Sequence, residues 1–259
     1  MNPASLAQET YPDLLQKISD RLSGGKLISL VVSGSHAYGT NRKGSDIDLR
    51  GVFVNSSNEY FGMNWVDDVS ISGVSDIELI GLRKFISLMT KCNPNKMEYL
   101  FMPRDCVIYE TQIMKEVKNR RSLFVTKSLV TPFLGYAKSQ YTRMVNMTEA
   151  GTRKLGKKRK ELIDKYGYDT KQAMNVIRIC REGVSLLTTG IMNVRCPYAD
   201  ELKQILNGKV KKEHVIHMME HEMNQLRKAE EGSSLWDVPN VDHINKLCIR
   251  LTRQALSGD

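Results

Sequence analysis

The sequence predicts an α+β protein, a short mixed sheet with helices followed by an α-helical domain. Three observations carry this. Up to about residue 110 strand-like apolar runs alternate with short helical periods, and beyond it helical spacing continues with few strand signals. At 41% hydrophobic and 26% charged, the composition is that of an ordinary globular protein. Its 259 residues can bury a sizeable core as one large domain or two modest ones. No internal repeat or Pro/Gly/Ser-rich linker is present, so the change of pattern sets the expected domains at residues 1–110 and 111–259.

The elements follow in order. Leu14, Leu15, Ile18 and Leu22 share one face of a helix expected over residues 12–22, which stops at Gly24-Gly25. A strand-like run over 27–32 follows, then a second strand over 46–54 and a third over 75–80. Leu82, Phe85, Ile86 and Met89 begin a helical period, and Asn93-Pro94-Asn95 breaks it before Met97-Glu98-Tyr99-Leu100-Phe101. Helices are then expected over 111–120, through a longer segment reaching Met144, over 170–187 and over 214–228. Met174, Met192, Met218, Met219 and Met223 read as core filler.

Charge bounds the partners. Lys and Arg number 38 against 29 Asp and Glu, a formal net charge of +9. Such an excess favours nucleic acid, nucleotides or another anion. Its strongest run is Arg153-Lys154-Leu155-Gly156-Lys157-Lys158-Arg159-Lys160, six cations in eight positions, which sits between expected helices and would suit an RNA backbone. Mean hydropathy is −0.36. No apolar run reaches the roughly 18 residues of a membrane span, and the first residues carry no basic or apolar leader, so a cytoplasmic protein without a membrane segment is expected. Five dispersed cysteines (Cys92, Cys106, Cys180, Cys196, Cys248) form no C-x-x-C pair and read as small core residues.

The chemistry concentrates between residues 31 and 52. An apolar strand runs into Gly34-Ser35, where the missing side chain lets a phosphate approach the backbone and the next turn offers N–H groups. Asp46 and Asp48, at i and i+2 of the expected second strand, would put two carboxylates on one face about 6.5–7 Å apart along the chain. Such a pair is repulsive on its own, and one or two divalent cations are its natural counterweight. Asp76 and Glu78 offer a third carboxylate; Asp76 is favoured and Glu78 stays open. Arg42 and Lys43 lie in the loop between the Gly34-Ser35 turn and the aspartates, placed either to contact phosphates or simply to face water. His36 could touch a nucleotide, although metal activation of a hydroxyl makes a protein base optional.

The run from Gly34-Ser35 through Ala37-Tyr38-Gly39 to Ser45-Asp46-Ile47-Asp48-Leu49-Arg50-Gly51-Val52 resembles the signature of nucleotidyltransferases of the DNA polymerase β superfamily. More narrowly, it resembles the RNA-ligase-associated polymerase-β-fold proteins of RlaP type. The resemblance extends over about residues 27–195 and includes Asp76, Leu82-Arg83-Lys84-Phe85, Asn93-Pro94-Asn95 with Glu98, and Tyr168-Asp169-Thr170-Lys171 with Arg178. Asn175 stands where the family often has His.

The resemblance implies a polymerase-β-type fold for the first domain and transfer of an NMP from an NTP, ATP or CTP, to a hydroxyl with loss of pyrophosphate. Asp46, Asp48 and Asp76 or Glu78 would hold two Mg²⁺ (or Mn²⁺) ions. Gly34 and Ser35 would grip the β and γ phosphates, with Arg42, Lys43 and Ser45 in the adjoining loop. Lys171, Asn175 and Arg178, at i, i+4 and i+7 of one helix face, would help the pyrophosphate leave. The implied acceptor is an RNA 3′ end in repair or tailing, reached through residues 153–160. A protein or small-molecule hydroxyl, or a non-catalytic nucleic-acid-binding module, are the alternatives. His214, His217 and His221 fall at i, i+3 and i+7 beside Glu213 and Glu220, but no H-E-x-x-H is present, so they read as surface or interface histidines rather than zinc ligands.

Overall fold

The computed structural model describes residues 2–71, 77–146 and 157–257 and has an α+β architecture. Helices α1 (Pro3–Thr10) and α2 (Leu14–Leu22) lead into β1 (Lys26–Ser33), α3 (Gly34–Tyr38), β2 (Asp48–Val54), α4 (Ser57–Phe61), β3 (Asp68–Ile71) and β4 (Ile77–Gly81). Then come α5 (Leu82–Thr90), α6 (Pro94–Met97), β5 (Val107–Glu110), α7 (Gln112–Asn119), α8 (Val130–Val145) and α9 (Lys157–Tyr166). The chain continues through α10 (Thr170–Thr189), α11 (Ala199–Leu206), α12 (Lys212–Glu231) and α13 (Val241–Leu256). Among the described residues no helix is long and apolar enough to cross a membrane.

Contacts divide the chain into two compact units, one of Met1–Lys91, Asn95–Phe124 and Pro239–Asp259, the other of Cys92–Pro94 and Val125–Val238. Relative to a division at residue 110, α7 and α13 therefore group with the sheet. Helical periodicity shows which face of a segment is buried but not what buries it.

In the first unit the strands run in the order β3-β4-β2-β1-β5, with β2 and β4 parallel and the other pairs antiparallel. The second expected strand begins at Asp48 rather than Asp46. The ladder with β1 ends at the pair Ser33 and Asp48, where β1 gives way to α3 at Gly34, so Asp46 and Ile47 precede the strand. The third starts, among the described residues, at Ile77 and is flanked by β3, a four-residue strand too short and polar to announce itself. Helix α2 buries Leu14, Ile18 and Leu22 at i, i+4 and i+8, while Leu15, a third of a turn away, is 43% exposed. All four apolar residues of the expected helix after β4 are buried on α5. Asn93-Pro94-Asn95 ends one helix and starts another, because proline suits a first helical turn.

The second unit is helical. Its longest central element, α10, buries Ala173, Val176, Ile177, Cys180, Leu186 and Leu187. The side chain of Asp169, fully buried, caps it by accepting from the N–H groups of Lys171 (3.1 Å) and Gln172 (2.9 Å). Residues 157–160, expected between helices, are instead the first turn of α9.

Candidate active site

The site starts where β1 ends. Gly34 has φ +63°, a left-handed conformation that L side chains rarely adopt, and opens the five-residue helix α3. Gly39, at φ +77°, closes it. The backbone N–H groups of Thr40 and Asn41 both donate to the Ser35 carbonyl, at 2.9 and 3.1 Å, so the turn folds back on itself. The Ser33 hydroxyl donates to the Asp48 carbonyl at 3.3 Å across the last rung of the ladder. This brings Asp48 against the turn so closely that a Cβ at Gly34 would overlap the Asp48 carboxylate. The backbone angle favours glycine there, and a Cβ would also have to displace the Asp48 carboxylate.

Asp48 is half-buried and Asp46 exposed, in the extended stretch leading into β2. Asp48 thus lies against the Gly34 turn where β1 ends and β2 begins, and Asp46 precedes it by two residues. Asp46 is not in the strand. Hard oxygen donors on a glycine-floored edge fit a divalent cation such as Mg²⁺. Among the described residues no group of three or more His, Cys, Asp or Glu could hold a metal ion, and Asp76 lies outside the described residues. Glu78 sits beside Arg50 in the parallel register of β2 and β4 and forms an ion pair with it. That guanidinium already neutralises the Glu78 carboxylate.

The other expected phosphate contacts divide. Arg42 and Lys43 are exposed in the loop. The Ser45 hydroxyl accepts from the Arg42 N–H at 2.8 Å and so closes the loop rather than facing a nucleotide. His36 is buried, its Nε2 3.4 Å from the Ser45 carbonyl, which gives it a place under the loop rather than a base's position. In the second unit Lys171 is exposed, Asn175 half-buried and Arg178 only 2% exposed. The three share a helix face as the spacing requires, but beyond the first turn neighbouring helices cover that face. Arg178 donates to both oxygens of Glu182, at 2.8 and 3.0 Å, so its guanidinium is engaged in a buried ion pair. Removing the guanidinium would strand a buried carboxylate, so Arg178→Ala is expected to lower unfolding stability by about 3 kcal/mol. Chemical denaturation of Arg178→Ala beside an Arg178→Met/Glu182→Leu double variant checks this, the double variant recovering most of the loss.

Sequence spacing alone assigned no role to Glu98 or Tyr38. Glu98 is 4% exposed, and the Tyr38 hydroxyl donates to its two oxygens at 3.0 and 3.2 Å. The available signal was a lone carboxylate inside the apolar run Met97-Glu98-Tyr99-Leu100. Lys96, half-buried nearby, is held below the usual lysine range, first by burial and then by the charge of Arg50. His214, His217 and His221 are all exposed on α12, His217 at 90%, which agrees with surface histidines. None of the five cysteines forms a disulfide and four are buried, with the Cys180 thiol pushed up to about 12 by burial.

Comparison with known proteins adds two findings. The model of the family described as "RlaP: RNA repair pathway DNA polymerase beta family" matches residues 8–250. The "Uncharacterized protein YcgL" of Bacillus subtilis (strain 168) is 32% identical over 134 residues, 48% of this chain and 51% of that relative, so the match spans about half of each.

Proposed function

From the premise that this chain belongs to the RNA repair pathway DNA polymerase beta family, and so to the polymerase-β-type nucleotidyltransferases, we propose that it transfers an NMP from an NTP, ATP or CTP, to an RNA 3′ hydroxyl and releases pyrophosphate. The observation that supports the reading is the closeness of the Asp48 carboxylate to Gly34 where β1 ends and β2 begins, a place where a metal ligand and a phosphate-binding turn could act together.

In this reading Asp46, Asp48 and Asp76 hold two Mg²⁺ (or Mn²⁺) ions. Glu78 is set aside as the third ligand because Arg50 occupies it. Asp76 directly precedes Ile77 as Asp48 directly precedes Leu49, and Ile77 and Leu49 are register partners. When bound, the ions neutralise phosphate charge and lower the pKa of the attacking hydroxyl. The chain itself positions and neutralises. The first amides of α3, which have no partner within the helix, face the β and γ phosphates, and Ser35 adds a hydroxyl. Gly34 lets those phosphates reach the backbone. Arg42 and Lys43 offset the charge that builds on pyrophosphate as the α-phosphorus is attacked in line.

Residues 1–110 supply the metal and nucleotide groups, and residues 111–259 bring the basic contacts for nucleotide and acceptor. The run Arg153 to Lys160 carries six cations in eight positions, a charge that suits RNA phosphates. Incubation with each α-labelled NTP, Mn²⁺ and total RNA tests the proposal. Label is expected on RNA, and RNA affinity should fall with salt and fall further when Lys157 to Lys160 are changed to alanine. Label on protein or on a small molecule would instead redirect the acceptor, and no label with any NTP would overturn the reading.

A further inference from the structure

We infer that the Tyr38–Glu98 hydrogen bond is a tether that sets the Gly34-Ser35 turn in its phosphate-binding form before nucleotide arrives, which makes Glu98 and Tyr38 positioning residues for nucleotide binding. The inference rests on the nucleotidyltransferase reading and deepens it.

Helix α3 is one short turn of five residues, far below the length at which a helix holds itself together. Its backbone closure is local: Thr40 and Asn41 return to the Ser35 carbonyl within the same loop. At its first residue the turn is fixed by Gly34 lying against the Asp48 carboxylate. At its last residue it is fixed by Tyr38, whose hydroxyl reaches across 60 residues of sequence to both oxygens of Glu98. The turn is therefore pinned at both ends, once by a metal-ligand candidate and once by a carboxylate that has no place among the metal ligands.

Glu98 is a costly residue to keep in that position. A carboxylate at 4% exposure beside buried Met97, Tyr99 and Leu100 is unfavourable unless its oxygens are bonded. The charges of Arg50 and Glu98 both act on Lys96 and on Tyr99, which puts Glu98 near the strand that carries Asp48 and Arg50. A surface carboxylate would hold Tyr38 only loosely. A buried one fixes both the distance and the direction of the hydroxyl. Pre-set donors bind a phosphate without first ordering the loop, and that ordering would otherwise be subtracted from affinity.

The test compares wild-type protein with Tyr38→Phe, Glu98→Ala, Glu98→Gln and the Tyr38→Phe/Glu98→Ala double variant. Tyr38→Phe and Glu98→Ala are each expected to raise KM for the NTP about 5–10-fold, the value of one typical hydrogen bond, with kcat changed less than about twofold. Glu98→Gln keeps an acceptor for the Tyr38 hydroxyl and should restore most of the loss. The double variant should be no worse than either single one. Hydrogen exchange of the backbone amides of residues 35–41, measured without nucleotide, should accelerate in Tyr38→Phe while that of β1 does not. Unchanged exchange at 35–41 overturns the tether, whatever the activity. Faster exchange with an unchanged KM, or additive losses in the double variant, overturns its role in nucleotide binding. Absence of incorporation by the wild-type protein is a different failure, that of the nucleotidyltransferase reading, and leaves the exchange result to judge the tether by itself.

Discussion

Asp48→Asn is expected to lower nucleotide incorporation by at least about 10³-fold, roughly 4 kcal/mol in the barrier. The change keeps the shape that packs against Gly34 and removes only the charge. Phosphoryl transfer asks the protein for positioning and charge neutralisation, so the loss of one anionic ligand should fall on the chemical step. Asp46→Ala should behave alike, although Asp46 lies outside the strand, if it serves as the second carboxylate of the proposed metal site two residues before Asp48. Folding should change by less than about 0.5 kcal/mol, since relief of repulsion between the two aspartates offsets small losses. Single-turnover incorporation of α-labelled NTP, paired with thermal unfolding, measures both quantities. More than a tenth of wild-type activity in either variant would remove these residues from the metal site.

Gly34→Ala should cost nearly as much activity with a more visible cost in stability. A non-glycine residue at φ +63° loses about 1 kcal/mol from backbone conformation alone. The added Cβ would also overlap the Asp48 carboxylate, so either the end of β1 or Asp48 must move. A displacement of about 1 Å in a reacting group is worth on the order of 10²-fold. Because the turn and the metal ligand shift together, a loss between about 10² and 10³ is expected, with about 2 kcal/mol of stability. Gly44→Ala is the matched control. Gly44 also has positive φ, at +78°, but nothing lies within 4 Å of its Cβ position, so it should show the backbone cost and keep its activity. Equal activity losses at the two glycines would mean that loop strain, not contact with Asp48, makes Gly34 necessary.

Much of this site is legible in a linear sequence because its ingredients are local. The Gly34-Ser35 turn and the Asp46/Asp48 pair are close enough in the chain for spacing to suggest a shared edge, and adjacent antiparallel strands bring them together. Apolar periodicity likewise marks Leu82, Phe85, Ile86 and Met89, all buried on α5. Parity along the chain was less reliable at an element's end. Asp46 and Asp48 read as one strand face until the ladder, which stops at Asp48, shows that pairing rather than alternation defines a strand. Leu15 shows the same in a helix, since an apolar residue beside the buried stripe remains 43% exposed.

By itself the sequence determined the α+β character and the apolar face of α5, and it set the Gly34-Ser35 turn close in the chain to Asp46 and Asp48, because each depends on residues within a few positions of one another. Only the tertiary structure decided how the charges are spent. Glu78 is committed to Arg50 by strand register, and Tyr38 is held by Glu98 from a distant segment. Arg178, four residues from Glu182, is buried with it in an ion pair. A charged side chain is worth one thing in water and another in a low-dielectric interior, and which of the two surrounds it is set by elements that the local sequence does not contain.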